Sequence, residues 1–135
     1  MLAAAAGAGF VAARAAEHDH GDQELARKVV LERELMASIA GKPAKVTLLE
    51  LEYVPGGSSG PHRHAGPVVV YVLSGALESA IDDEPPKVYK AGETFFEPAG
   101  VLHAVSKNAS KTEPARFLAF MLAPSDAKEL TTPAK

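Results

Sequence analysis

The sequence predicts an all-β fold, a sandwich or barrel of short strands. Three observations carry that expectation. Apolar or alternating runs recur from residue 28 to residue 122, with turn signals every several residues. Glycine (11) and proline (10) are plentiful and fall largely between those runs. No long amphipathic helical pattern competes with them.

The elements follow in chain order. Glu24–Ala40 mixes charges with Val29, Val30, Leu31, Leu35, Met36 and Ile39. The β-prone Val-Val-Leu and the Gly41-Lys42-Pro43 turn predict an edge strand near Lys28–Leu35. Lys45–Val54 is the clearest strand, with Leu49, Leu51 and Tyr53 on one face and Leu48, Glu50 and Glu52 on the other. Pro55–Gly60 reads as a loop. Val68–Leu73 is apolar throughout, as a strand buried on both faces would be. Ser74-Gly75 turns the chain into a strand at Ala76–Ile81. Strands at Lys87–Lys90 and Thr94–Glu97 flank the Ala91-Gly92-Glu93 turn. Pro98-Ala99-Gly100 leads to a strand at His103–Lys107, and Arg116–Leu122 is the last apolar strand. Pro124–Lys135 reads as a tail or one short helix. Tyr53, Tyr71, Phe95, Phe96, Phe117 and Phe120 are expected in the core.

Length and charge narrow the function classes. A chain of 135 residues supports one domain with one core. The formal net charge of -3 offers no basic excess for phosphates, which disfavours a nucleic-acid partner. The absence of cysteine removes disulfides, thiolate metal sites and thiol nucleophiles. Met1–Ala16 is almost entirely small and apolar, too short to span a bilayer. It resembles the apolar stretch of a secretory signal, with Ala13-Arg14-Ala15 as the cleavage site. The expected organisation is a signal-peptide remnant at 1–15, a polar segment and edge strand at 16–40, a barrel at 41–123 and a tail at 124–135. The expected location is secreted or periplasmic, with no membrane association after processing. The open edge of the first strand predicts a homodimer, formed through a barrel face or by strand exchange.

The histidines carry the chemistry. His62-Arg63-His64 opens a strand, so alternation sets both imidazoles on one face and Arg63 on the other, facing away toward a carboxylate. That geometry suits two ligands on one ion. His103, also at a turn-to-strand junction, is the natural third. His18 and His20 lie in a polar segment and are expected to remain mobile and without a role.

Gly56–Gly75 (GGSSGPHRHAGPVVVYVLSG) and Gly92–Asn108 (GETFFEPAGVLHAVSKN) resemble the two motifs of the cupin superfamily. These are G-x5-H-x-H-x3,4-E-x6-G and G-x5-P-x-G-x2-H-x3-N. Gly56, His62, His64 and Gly75 fit the first, and Gly92, Pro98, Gly100 and His103 fit the second. The resemblance implies an antiparallel jelly-roll β-barrel from about Val46 to Leu122 and a metal held by His62, His64 and His103. Two departures stand out. The first motif's glutamate falls on Val68 or Val69, and the second motif's asparagine falls on Lys107, one residue before Asn108. A carboxylate has three other sources: Glu50, Glu78 and Glu97. Glu97 and Tyr71 are the candidates beside the metal.

Three imidazoles without a carboxylate rank copper first, iron second and zinc third. The resulting expectation is a small exported metal-dependent oxidoreductase that activates oxygen or peroxide. Its substrate would be a small molecule or a carbohydrate, oxidative cleavage of a cellulose-type polysaccharide included. Two other classes stand beside it: a redox-inert zinc or nickel isomerase or lyase, and a non-catalytic module that binds metal or a small ligand.

Overall fold

In a computed structural model, residues 23–135 are described. The signal-like stretch at 1–15, with the secreted or periplasmic location inferred from it, and the His18/His20 pair lie outside the described residues. Every regular element among the described residues is a strand, and every pairing is antiparallel. The ten strands are β1 (Gln23–Ile39), β2 (Lys42–Ser59), β3 (His62–His64), β4 (Val68–Ser74), β5 (Ala76–Ile81), β6 (Lys87–Lys90), β7 (Thr94–Glu97), β8 (His103–Asn108), β9 (Ala115–Pro124) and β10 (Thr131–Pro133).

Pairing sorts them into two layers. One runs β1-β2-β9-β4-β7, and the other runs β10-β3-β8-β5-β6. Strand β2 joins them. Its first part pairs with β1 and β9, and its end pairs Ser58 with Lys107 and Ser59 with Ser106 on β8. The stretch at 55–60, expected as a loop, is therefore mostly strand. Its small residues let one strand bend from one layer into the other.

Between the layers lies the core: Leu49, Leu51, Tyr53, Val68, Val70, Val72, Leu77, Ala115, Phe117, Ala119 and Met121. The expected alternation of β2 holds, with Leu49, Leu51 and Tyr53 inward. Strand β4 departs from expectation. Val68, Val70 and Val72 are buried, but Val69, Tyr71 and Leu73 are 42%, 43% and 38% exposed. A sheet covered on one face only alternates in this way, whatever the composition of the strand. The same pleat turns Phe96 and Phe120 outward (57% and 44% exposed), so these two and Tyr71 are not core residues. Cross-strand register aligns Leu31, Leu48, Phe120, Val69 and Phe96 in one row over the outer face.

Two glycines are needed where they stand. A Cβ at Gly66 would lie 1.7 Å from the Leu122 carbonyl oxygen, so only glycine lets the β3–β4 corner rest on β9. Gly75 has a φ of +73° and would drive a Cβ to 2.4 Å from the Pro114 oxygen. The chain end is neither a loose tail nor a helix. Thr131–Pro133 pairs with His62–His64, and backbone bonds from Ala65 N to Leu130 O (3.0 Å) and from Ala134 N to Pro61 O (2.9 Å) bracket the pair.

Candidate metal centre

Two short strands bring the histidines together. His62 and His64 occupy alternate positions of β3, and His62 stands opposite His103 of β8 in the antiparallel register. The His62 ring centroid is 4.8 Å from that of His64 and 4.9 Å from that of His103. Glu97 at the end of β7 points into the same space. One donor atom from each of His62, His64, Glu97 and His103 lies within 4.8 Å of all the others. Donors on opposite sides of a transition-metal ion sit about 4.4 Å apart at bond lengths of about 2.2 Å, so small side-chain shifts bring the cluster onto one ion.

Each imidazole is anchored through the nitrogen that faces away. His62 Nδ1 donates to the Gly60 carbonyl at 2.7 Å. His64 Nδ1 is 3.0 Å from the Thr131 hydroxyl, and His103 Nε2 is 2.8 Å from the Ser79 hydroxyl. These contacts fix the ring planes and leave one nitrogen of each ring toward the cluster, the arrangement that holds metal-ligating histidines in place. Among the described residues, Glu97 Oε2 and His103 Nδ1 are the buried side-chain polar atoms without a hydrogen-bond partner. They are 3.0 Å apart, and Glu97 Oε2 is 3.2 Å from His64 Nε2, yet the first pair is not directed as a hydrogen bond requires. Buried donor atoms left without partners and facing a common point fit a cation between them.

The electrostatics agree with that fit. Burial works to raise the Glu97 carboxyl, but the His103 and His64 rings outweigh it and hold the group at about 2. Burial lowers the His62 imidazole, against the opposing pull of the Gly60 carbonyl. An ionised carboxylate and a neutral imidazole are the protonation states that ligate.

Glu97 also accounts for the departure in the first motif. With six residues between it and Gly75, the expected glutamate falls at 68, and Val68 is indeed the inward residue (1% exposed), while Val69 faces outward. Val68 stands directly opposite Glu97 in the β4–β7 register. Directly opposed side chains on one face are neighbours, so Glu97 offers a carboxylate from across one strand, beside the position where the motif sets its glutamate. Of the other two sources, Glu50 pairs with Arg116 and Glu78 lies 3.3 Å from Lys107 Nζ. Tyr71 is outward and does not line the cavity. Arg63 does face away, but it donates to the Gly100 carbonyl at 2.8 Å rather than to a carboxylate. Asn108, one residue late for the second motif, is buried and ties a loop: its Nδ2 donates to Val54 O (3.0 Å) and Glu113 O (2.7 Å).

A cavity of about 630 Å³ opens over the cluster. Leu49, Leu51, Val70, Phe117, Ala119 and Met121 wall it, and Leu25 and Arg27 reach it from β1. The sequence reading missed Gly60, Ser79, Thr131 and the β1 contribution. Ser79, Thr131 and the β1 residues depend on strand pairings that no local pattern announces, whereas the Gly60 carbonyl lies only two residues before His62.

Known proteins agree with this architecture. The cupin-domain family profile matches residues 49–121. The germin-like protein subfamily 2 member 2 of Arabidopsis thaliana is 38% identical over 80 residues, which cover 56% of this chain and 36% of that protein. The chain thus spans about a third of the length of the curated germin-like relatives it matches. An uncharacterised conserved protein with a double-stranded β-helix domain from Klebsiella pneumoniae superposes with a TM-score of 0.60 at 23% identity, covering 88% of this chain and 90% of that one. The polyketide cyclase RemF from Streptomyces resistomycificus superposes with a TM-score of 0.59 at 25% identity, covering 85% and 74%. With a two-layered jelly roll, both histidine motifs in register and a domain match over more than half of its length, this chain belongs to the cupin family.

Proposed function

We propose that the protein is a metal-dependent cupin oxidoreductase in which His62, His64, His103 and Glu97 hold one divalent transition metal beneath a largely apolar substrate cavity. The observation that carries this reading is the convergence of four donors, three of them oriented from behind by Gly60, Thr131 and Ser79. The copper-first ranking assumed a nitrogen-only set. A carboxylate in the set moves the preference to iron or manganese, which accept mixed imidazole and carboxylate ligands. Four protein ligands leave open positions on a six-coordinate ion, and such an ion supplies Lewis-acid and one-electron chemistry when bound.

The cavity walls supply the substrate side. Their aliphatic and aromatic lining supports a small organic molecule with an apolar body, rather than a polysaccharide strand, whose hydroxyls would need polar partners. Metal analysis of the protein as purified, then electron paramagnetic resonance and oxygen-uptake assays, tests the reading. One iron or manganese per chain with substrate-dependent oxygen uptake supports it. Absence of bound transition metal contradicts it.

A redox-inert reading, in which the ion acts only as a Lewis acid in an isomerisation, lyase or cyclisation reaction, is favoured by the likeness to the polyketide cyclase over 85% of the chain. Turnover that proceeds at the same rate without oxygen or peroxide would select it.

A further inference from the structure

The geometry points to Arg27 as the residue that selects an anionic substrate, an organic carboxylate whose apolar body fills the cavity between β1 and the metal cluster. This inference rests on the reading of the cavity as the substrate site and adds the substrate's charge.

Four observations carry it. First, β1 lies against β2 with Leu25 opposite Tyr53 and Arg27 opposite Leu51. Tyr53 and Leu51 point inward, and the same alternation turns Leu25 and Arg27 toward the cavity, which both of them line. Second, Arg27 is the one lysine or arginine lining the cavity among the described residues, and no carboxylate pairs with it there. Of the neighbouring cations, Lys45 of β2 pairs with Glu32, and Arg116 of β9 pairs with Glu50 and Glu52 of β2. Third, the nearest alternative counter-charges on the lining are committed. Glu78 is 3.3 Å from Lys107 Nζ, and Glu97 belongs to the cluster. Fourth, Arg27 is exposed, so its guanidinium meets the ligand at the solvent edge, while the ligand's other end reaches the buried cluster.

A planar guanidinium binds a carboxylate through two parallel N–H donors, and a low-dielectric wall strengthens the pair. The apolar lining supplies that wall. The ligand would then be oriented with its anion toward β1 and its reacting end toward His62, His64, His103 and Glu97.

The test compares 3-phenylpropanoate with 3-phenylpropanamide, two probes of the same shape that differ in charge, by calorimetry on the full-length protein. Metal content is measured on the same samples. The expected result is that wild type binds the carboxylate about tenfold tighter than the amide. Arg27→Gln should bring the carboxylate down to the amide's affinity and leave the amide unchanged. Equal affinities in wild type, or no binding of either probe, would overturn the inference. So would a carboxylate preference that survives Arg27→Gln and vanishes when the metal is stripped, because the anion would then sit on the ion. A protein that carries no metal but still shows an Arg27-dependent preference would sink the oxidoreductase reading and support this one.

Discussion

The two walls of the cavity are built on opposite principles. The wall formed by β3 and β8, which Glu97 meets from the end of β7, is short and polar, and hydrogen bonds to each ring's outer nitrogen hold it. The wall formed by β2, β4 and β9 is long and apolar, and packing holds it. Tyr53 and Phe117 show the contrast within that second wall: their rings pack 5.4 Å apart, and the Tyr53 hydroxyl still reaches Ser59 (2.6 Å) and Ser106 (3.0 Å) beside the first. Stability should therefore reside in one wall and chemistry in the other, and substitutions should separate them.

The largest effect on folding is expected at Phe117. Phe117→Ala empties a buried ring site between the layers and should cost about 3–5 kcal/mol in chemical denaturation. Metal stoichiometry of the folded fraction should be unchanged. On the polar wall, Glu97→Val should lower metal affinity about 100-fold or more while leaving the fold intact. Returning the carboxylate to the opposed position, in the double variant Val68→Glu with Glu97→Val, should recover part of that affinity in a metal titration. Failure to recover any would count against the cross-strand account of Glu97.

The two walls should also respond differently to acid. In the metal-free protein, His62 and Glu97 both have folded pKa values below their ordinary ones, 6.5 and 4.5, so the unfolded chain binds more protons. Stability should therefore fall with acid. The His62 contribution is present above 6.5 and is lost as pH drops through its lowered value. That of Glu97 is lost between 4.5 and about 2. Denaturation midpoints measured across this range should drop for wild type and drop less for Glu97→Gln. The smallest effect is expected at Thr131. Thr131→Val removes the hydroxyl behind His64 Nδ1 and should weaken metal binding about tenfold, with little change in the denaturation midpoint.

The same division explains what could be read from the sequence. The H-x-H spacing and the turn-to-strand setting of His103 announced three members of the cluster, because strand alternation is a local rule. Glu97 was one of three open choices, since selecting it requires the β4–β7 register, and register is set by distant residues. Val68–Leu73 carries no phase of its own: a nearly all-apolar run does not say which side faces in, so nothing local sets Tyr71 outward. Thr131 was invisible because β10 is short and pairs with residues about 70 positions earlier. The bend in β2 was hidden by its own composition, since glycine and serine mark a loop and a bent strand alike.

The central claim is that three imidazoles and the Glu97 carboxylate hold one transition metal. Its most direct test is the metal content of wild type and of His62→Ala, by elemental analysis of protein purified without added metal and paired with a titration of the stripped protein. The account predicts about one ion per chain in wild type, and a sharp loss of both content and affinity in the variant, with an unchanged circular dichroism spectrum. A His62→Ala protein with the same metal content and the same affinity would contradict it.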